Sequence, residues 1–312
     1  MSPTPPKAKK VTAEDLDKVM NQTSRVNALR TLLGATGDRL DPLIDLSKPY
    51  VDGLENLPAD GRFLLVANHT ANAMVESLLI PYVVHRELGV RVRPLVDRGM
   101  GEMRGMMADL LAAFGGVVGH PDTAAELMRH NEAMLVFPGG GREVPKFKGE
   151  EYQLNWLGRS GFARLAIEHG YAIVPVGLVG GDDIYRSITK RSSILGRLGQ
   201  SLGKKLSGRS DMAFPMVRGV GATLIPRPER MYLRFGEPIQ TTRPAGTDAT
   251  EWEAHVKERT QTALETVLAD LQEVRASDPY RHLNPLSWRH AVQPEARTGL
   301  PDNVTLLPTG TG

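Results

Sequence analysis

Two places in this 312-residue chain end an apolar run on side chains that can do chemistry. Phe63-Leu64-Leu65-Val66-Ala67 stops at Asn68-His69-Thr70, and Ala133-Met134-Leu135-Val136-Phe137 stops at Pro138-Gly139-Gly140-Gly141-Arg142-Glu143. A short apolar run closed by turn formers reads as a buried strand, and strand ends are where open α/β sheets bind ligands. At such an end His69 can take a proton from a hydroxyl at neutral pH; the same position also suits a hydrogen-bonded turn histidine. An imidazole base needs a partner to hold its tautomer. Glu76, seven residues on, can fold back toward the strand end if the intervening segment begins as a loop. On an ordinary helix it would be an exposed carboxylate instead. Gly139, Gly140 and Gly141 accept positive φ and can turn N–H groups toward an oxyanion or phosphate, with Arg142 adding charge. Taken alone, that loop also reads as a turn carrying a surface ion pair between Arg142 and Glu143.

The elements that must position these groups alternate between helix and strand. Helical spacing covers Ala73 to Leu88, Gly101 to Phe114, Ala124 to His130 and Gly161 to His169, while Val90 to Val96, Ala133 to Phe137 and Ala172 to Val176 read as strands between them. That order predicts an α/β fold, a mainly parallel mixed sheet flanked by helices. Ahead of it, Thr12 caps an amphipathic helix expected to run to Gly34, with a short helical piece from Leu40 to Leu46. Behind it come a strand, Met231 to Phe235, and a long C-terminal helix with apolar positions from Trp252 to Val274. The expected organisation is a disordered tail over 1–11, an N-terminal helical segment over 12–49, an α/β domain over 50–276 and an irregular tail over 277–312.

Within that domain, residues 184–210 form a basic amphipathic insertion. Arg186, Lys190, Arg191, Arg197, Lys204, Lys205 and Arg209 appear with no acidic residue among them, interleaved with Ile184, Ile188, Ile194, Leu195, Leu198, Leu202 and Leu206. Such a segment can lie on an anionic membrane surface, or it can be a solvated face over a core stripe.

Composition narrows the function classes. There are 38 Lys and Arg against 36 Asp and Glu, a net charge of +2 that gives no footprint for nucleic acid. The chain has no cysteine, which removes disulfides, thiolate nucleophiles and Cys-ligated zinc. The eight histidines show no paired helical spacing for a metal. Gly219-Val220-Gly221 lacks the third glycine of a dinucleotide fingerprint, the Gly199 to Lys204 stretch misses P-loop spacing, and Ser160 lacks the flanks of a nucleophile elbow. No secretory signal and no apolar run of bilayer-spanning length is read, so a cytoplasmic, peripherally membrane-associated protein is expected.

Asn68-His69, the Gly115-Gly116-Val117-Val118-Gly119 turn, Phe137-Pro138-Gly139-Gly140 with Arg142-Glu143, and Val174-Pro175-Val176-Gly177 together resemble the glycerolipid acyltransferase (PlsC-like) superfamily over about Tyr50 to Pro238. The Pro-Gly-Gly-x-x-Glu form, Pro138 to Glu143, is similar to the monoacylglycerol and type-2 diacylglycerol acyltransferase branch; the phospholipid branch has Glu where this chain has Gly139. The superfamily's usual Asp, five residues after its His, is Met74 here, which passes that role to Glu76. Where the phospholipid branch tends to place a phosphate-binding Arg after the second motif, this chain has His120 nearby.

The resemblance implies an acyl-coenzyme A-dependent O-acyltransferase with no bound cofactor, acyl-CoA serving as co-substrate. His69 would deprotonate a lipid hydroxyl and Glu76 would steady the imidazolium, with Gly139, Gly140, Gly141, Arg142 and Glu143 around the substrate and oxyanion. Lys146, Lys148 or Arg159 would hold the coenzyme A phosphates, and Met100, Met103, Met106 and Met107 either line an acyl groove or fill core. The acceptor implied is a mono- or diacylglycerol or another neutral lipid alcohol. A lysophospholipid or glycolipid acyltransferase, and a non-catalytic lipid-binding protein with a degraded site, are the alternatives.

Overall fold

The computed structural model describes residues 12–71, 73–97, 105–207, 213 and 215–295. Residues 1–11 and 296–312, with Met100, Met103 and Arg209, lie outside them. The N-terminal segment forms two helices rather than one followed by a short piece: α1 spans Ala13–Met20 and α2 spans Ser24–Ser47. Thr23 is the reason, since its extended backbone breaks the first helix and its hydroxyl accepts the Val26 N–H at 3.3 Å, capping the second, which then continues past Gly34.

The strands are β1 (Tyr50–Asp52), β2 (Phe63–Ala67), β3 (Val92–Val96), β4 (Val117–Val118), β5 (Ala133–Val136) and β6 (Ala172–Val179), followed by β7 (Arg186–Ser187), β8 (Val217–Arg218) and β9 (Tyr232–Phe235). The helices between and after them are α3 (Ala73–Leu88), α4 (Met106–Ala113), α5 (Pro121–Arg129), α6 (Gly161–His169), α7 (Ile194–Ser207) and α8 (Ala249–Ser277). Among the described residues a seven-stranded sheet runs β1-β9-β6-β2-β5-β3-β4. Strands β6, β2, β5, β3 and β4 are mutually parallel, and β9 pairs antiparallel with β6 and parallel with β1. The sheet is therefore mixed but mostly parallel, as the helix–strand alternation predicts. The two-residue strands β7 and β8 make a separate antiparallel ribbon.

Side chains of β2 alternate between two cores. Leu64 and Val66 face α5, α6 and α8, where Leu127, Ala163 and Leu264 wait, while Phe63, Leu65 and Ala67 face Ile80, Val83 and Val84 of α3. Burial on both faces explains why the sequence shows a continuous apolar run there instead of alternation. At Gly177 of β6 a Cβ would stand 2.6 Å from Val267 of α8, so glycine is what lets that long helix lie close on the sheet. Met106 of α4 is exposed, so it neither fills the core nor lines an enclosed groove.

After Ser277 the chain forms no α-helix or strand among the described residues, but it is anchored. The buried Arg230 donates to Asp278 at 2.6 Å and to the Val292 carbonyl at 2.7 Å. No helix of the described residues is long and apolar enough to cross a membrane.

Candidate active site

Strands β2, β5 and β6 are neighbours in parallel, with Val66 opposite Val136 and Pro175, so their carboxyl ends open onto one edge. Past the end of β2 the buried side-chain amide of Asn68 takes over from the backbone: its Nδ2 donates to the Leu178 carbonyl at 3.0 Å and its Oδ1 accepts the Leu178 N–H at 2.9 Å. The next residue, His69, leaves the sheet and stacks its ring on Phe137 at the end of β5, with centroids 4.4 Å apart and planes 15° from parallel.

Glu76 sits in the first turn of α3, where the helix dipole favours an acid, and it is fully buried rather than exposed. Its Oε1 lies 2.7 Å from His69 Nδ1 and accepts the Thr70 N–H at 2.6 Å, and its Oε2 accepts the Thr70 hydroxyl at 2.8 Å. A carboxylate is acceptor-only, so this contact assigns the imidazole proton to Nδ1 and leaves the lone pair on Nε2. That is the arrangement of a general base whose carboxylate partner fixes its tautomer and orientation.

The same turn is held by three carboxylates in succession. The N–H of His69 donates to Glu143 at 3.0 Å, that of Thr70 to Glu76, and that of Ala71 to Asp182 at 2.7 Å. Glu143 is therefore buried and does not pair with Arg142 at the surface; its second oxygen accepts the Asn155 N–H at 2.6 Å, and burial raises its pKa above the usual glutamate value. It fits because residue 139 is glycine: a Cβ there would stand 2.2 Å from Glu143 Cδ. As a backbone anchor inside the protein, Glu143 offers no oxyanion-binding surface.

Asp182 and its neighbours are the site residues that sequence reasoning missed. Asp182 accepts Ala71 and Tyr152 N–H groups and is buried, which pushes its pKa up to about 6. The available signal was a third strand end, Val179 followed by Gly180-Gly181-Asp182-Asp183. Gly181 is needed there because a Cβ would come within 2.5 Å of Thr70 Oγ1.

The glycine loop folds as a 3-10 turn over Gly140–Arg142, with Gly140 at φ +55. Gly140 donates its N–H to the Phe137 carbonyl at 2.9 Å, so that donor is consumed by the turn. Two of the three basic residues expected to meet coenzyme A phosphates are committed elsewhere. Lys146 is buried and donates to the Gln153 carbonyl at 3.1 Å, its charge balancing Glu143 and Asp182. Arg159 donates to the Pro138 and Gly139 carbonyls at 3.0 and 3.1 Å, which pins the loop. Lys148 keeps an exposed side chain.

In the basic insertion, Arg191 is likewise spent, paired with Glu150 at 2.7 Å and stacked over Phe147. Helix α7 inverts the burial expected of a core-covering amphipathic helix. Gly196 and Gly203 are buried, whereas Ile194 is 86% and Leu198 64% exposed. Leu195 and Leu202 likewise stand in the open, beside the exposed Arg197 and Lys205.

Comparison with known proteins adds to this geometry. Residues 48–179 match the family model described as Acyltransferase. The chain is 31% identical over 263 residues to phytyl ester synthase 2, chloroplastic, of Arabidopsis thaliana, covering 75% of this chain and 36% of the relative. It is 32% identical over 227 residues to an uncharacterized protein of Mycobacterium leprae, covering 70% and 60% respectively. The chain thus spans about a third and about three fifths of the lengths of these relatives. Among solved structures, the 1-acyl-sn-glycerophosphate acyltransferase PlsC of Thermotoga maritima aligns at TM-score 0.41 with 18% identity, covering 81% of this chain and 87% of that one.

Proposed function

We propose, from the match of residues 48–179 to the family model described as Acyltransferase, that this chain moves a fatty acyl group from acyl-coenzyme A to the hydroxyl of a neutral lipid alcohol. The observation that carries the reading is His69 on a strand end with Nδ1 held by the buried Glu76 and Nε2 left as the base. In the proposed step Nε2 takes the acceptor's hydroxyl proton as its oxygen attacks the thioester carbonyl. The tetrahedral intermediate collapses with cleavage of the carbon–sulfur bond, and the imidazolium returns the proton to the coenzyme A sulfur. Glu76 balances the imidazolium charge throughout. Arg142 and the N–H groups of the Gly139–Gly141 loop not used in its own turn are the proposed oxyanion donors. Lys148, the one of the three expected basic residues not committed elsewhere, is the proposed partner of a coenzyme A phosphate.

A neutral acceptor is favoured because Gly139 stands where the phospholipid branch has Glu, because His120 lies near where that branch tends to place a phosphate-binding Arg, and because the plant relative is named for making a phytyl ester. Against a degraded site stands the carboxylate itself: with Met74 in place of the usual Asp, Glu76 still meets the imidazole. Purified protein given long-chain acyl-coenzyme A and a panel of mono- and diacylglycerols, long-chain alcohols and lysophospholipids is expected to form ester with the neutral acceptors, by mass spectrometry. His69→Ala should remove about 10²–10⁴-fold of the rate. Ester formation that survives His69→Ala, or no ester with any acceptor, would end this reading.

The same proposal places the protein on a membrane through the exposed apolar and basic face of α7. Replacing Arg197 and Lys205 with Gln is expected to weaken co-sedimentation with vesicles containing phosphatidylglycerol, each charge near the surface being worth about 1 kcal/mol. Unchanged binding removes α7 from that role.

A further inference from the structure

A cavity of about 370 Å³ opens between the β7–β8 ribbon and the segment after α8, lined by Arg218, Arg227, His282 and the backbone of Gly219 to Gly221. Its charge is out of balance. Two carboxylates serve the cations around it: buried Glu229 is shared by Arg275 at 2.8 Å, His282 at 3.1 Å and Arg227 at 3.4 Å, and Asp183 meets Arg275 at 3.3 Å, which leaves Arg218 as the excess charge. Among the described residues no carboxylate pairs with Arg218, which is exposed at the mouth.

The ribbon makes the imbalance worse. Arg186 of β7 is the direct antiparallel partner of Arg218 of β8, so two guanidinium groups start from opposed positions on one face of a ribbon only two residues long. Like charges directly across an antiparallel pair destabilise it, and a bound anion between or beside them reverses the sign.

The rim carries a second signal. The turn beyond β8 is tightly tied, with Gly219 N–H donating to the Thr223 carbonyl at 2.6 Å and Val220 N–H to that of Ile225 at 2.9 Å. Gly219 is required, because a Cβ would stand 1.7 Å from the Ile225 oxygen. This ordered turn holds Leu224 70% and Ile225 62% exposed, next to the exposed Met216 and Val220. An apolar tip set beside a cationic cleft matches the layering of a bilayer leaflet, where acyl chains lie just inside the phosphates.

We infer that the cleft between Arg218 and Arg227 binds the phosphate of an anionic membrane lipid while the turn at 220–225 enters the acyl region; His282, whose Nδ1 faces Glu229 and whose Nε2 accepts the Arg281 Nε–H at 3.3 Å, forms its wall. This rests on the reading that the chain works at a lipid surface, but it assigns the contact to residues outside both α7 and the transfer site. A soluble nucleotide phosphate would not call for the apolar tip, which is why the lipid is the assigned source.

The test uses the full chain and dihexanoylphosphatidic acid below its micellar concentration, so that headgroup recognition is read by calorimetry without vesicles and without turnover. Arg218→Gln should weaken this binding at least tenfold, Arg218→Lys should recover most of it, and replacing the exposed Arg259 of α8 with Gln should leave it unchanged. Leu224→Ser with Ile225→Ser should spare the short-chain lipid but reduce sedimentation with phosphatidic acid vesicles several-fold. The inference falls if the wild-type chain does not bind the short-chain lipid, if Arg218→Gln binds it as wild type does, or if coenzyme A displaces it in an Arg218-dependent manner. Failure of the transfer assay, or of the α7 vesicle experiment, leaves these outcomes unaffected.

Discussion

Gly139 and Glu143 show how one missing side chain sets the chemistry of a strand end. The Glu143 carboxylate fills the space a Cβ at residue 139 would need, and from there it receives the His69 and Asn155 N–H groups. Because two backbone donors hold it, the carboxylate cannot swing aside at little cost. Gly139→Ala is therefore expected to destabilise the protein by about 1–3 kcal/mol, the usual range for overpacking. In a Glu143→Ala background most of that cost should vanish, giving a coupling of about 0.5–3 kcal/mol in a double-mutant cycle read by urea unfolding. Strict additivity would mean that the two residues do not share the space. In the sequence, Pro138 to Glu143 marks the location of the site, but the spacing alone left Glu143 as a substrate-facing or surface residue. Its burial depends on the fold of the 3-10 turn, which returns the residue over Gly139.

At the scale of elements, the turn between β2 and α3 is fastened by its neighbours rather than by itself. Carboxylates from α3, from the loop after β5 and from the turn after β6 each take one of three successive N–H groups. Asp182, the last of these, has its pKa raised from 3.8 to about 6 because burial penalises its charged form more than its two N–H donors favour it. The folded protein then holds a proton that the unfolded chain has released between about pH 4 and pH 6. The contribution to stability is complete below the unfolded value and is lost as pH rises through about 6, a span worth roughly 3 kcal/mol. Glu143, whose pKa burial also raises, acts in the same direction. Thermal melts should show the wild-type chain losing stability relative to Asp182→Asn across that interval; parallel curves would show that Asp182 does not titrate there. The strand ends themselves were legible because apolar runs and glycine turns are local features. The tie to Asp182 was not, since it joins residues 111 apart through a strand order that no local pattern states.

For the whole molecule, the chain's last described segment is tied back to the start of β9. Arg230 and Asp278 are both fully buried, and together they join the strand region around β9 to the segment running to Val292. Removing one partner strands a buried charge, so Asp278→Asn or Arg230→Met is expected to cost about 3–5 kcal/mol in urea unfolding. The double replacement Arg230→Met with Asp278→Leu should cost clearly less than the sum of the two single changes, since neither charge is left behind. A loss equal to that sum would argue against the pair as a unit. The same architecture leaves α7 and the turn at 220–225 on the outside, each with apolar side chains in the open.

Legible in the sequence were the α/β class, five of the sheet's strands (β2, β3, β5, β6 and β9) with the helices between them, and the two strand ends that carry His69 and the glycine loop, whereas the short edge strands β1 and β4 were not. The legible features follow from periodicity, run length and turn chemistry, which act over a few residues. Only the folded chain settles that β9 runs against β6, that Lys146 and Glu143 lie inside, that Leu195, Leu198 and Leu202 of α7 point outward, and that Glu76 meets His69. Each of these depends on which distant segments pack together, and burial and hydrogen-bond partners are set by that packing rather than by the spacing of residues along the chain.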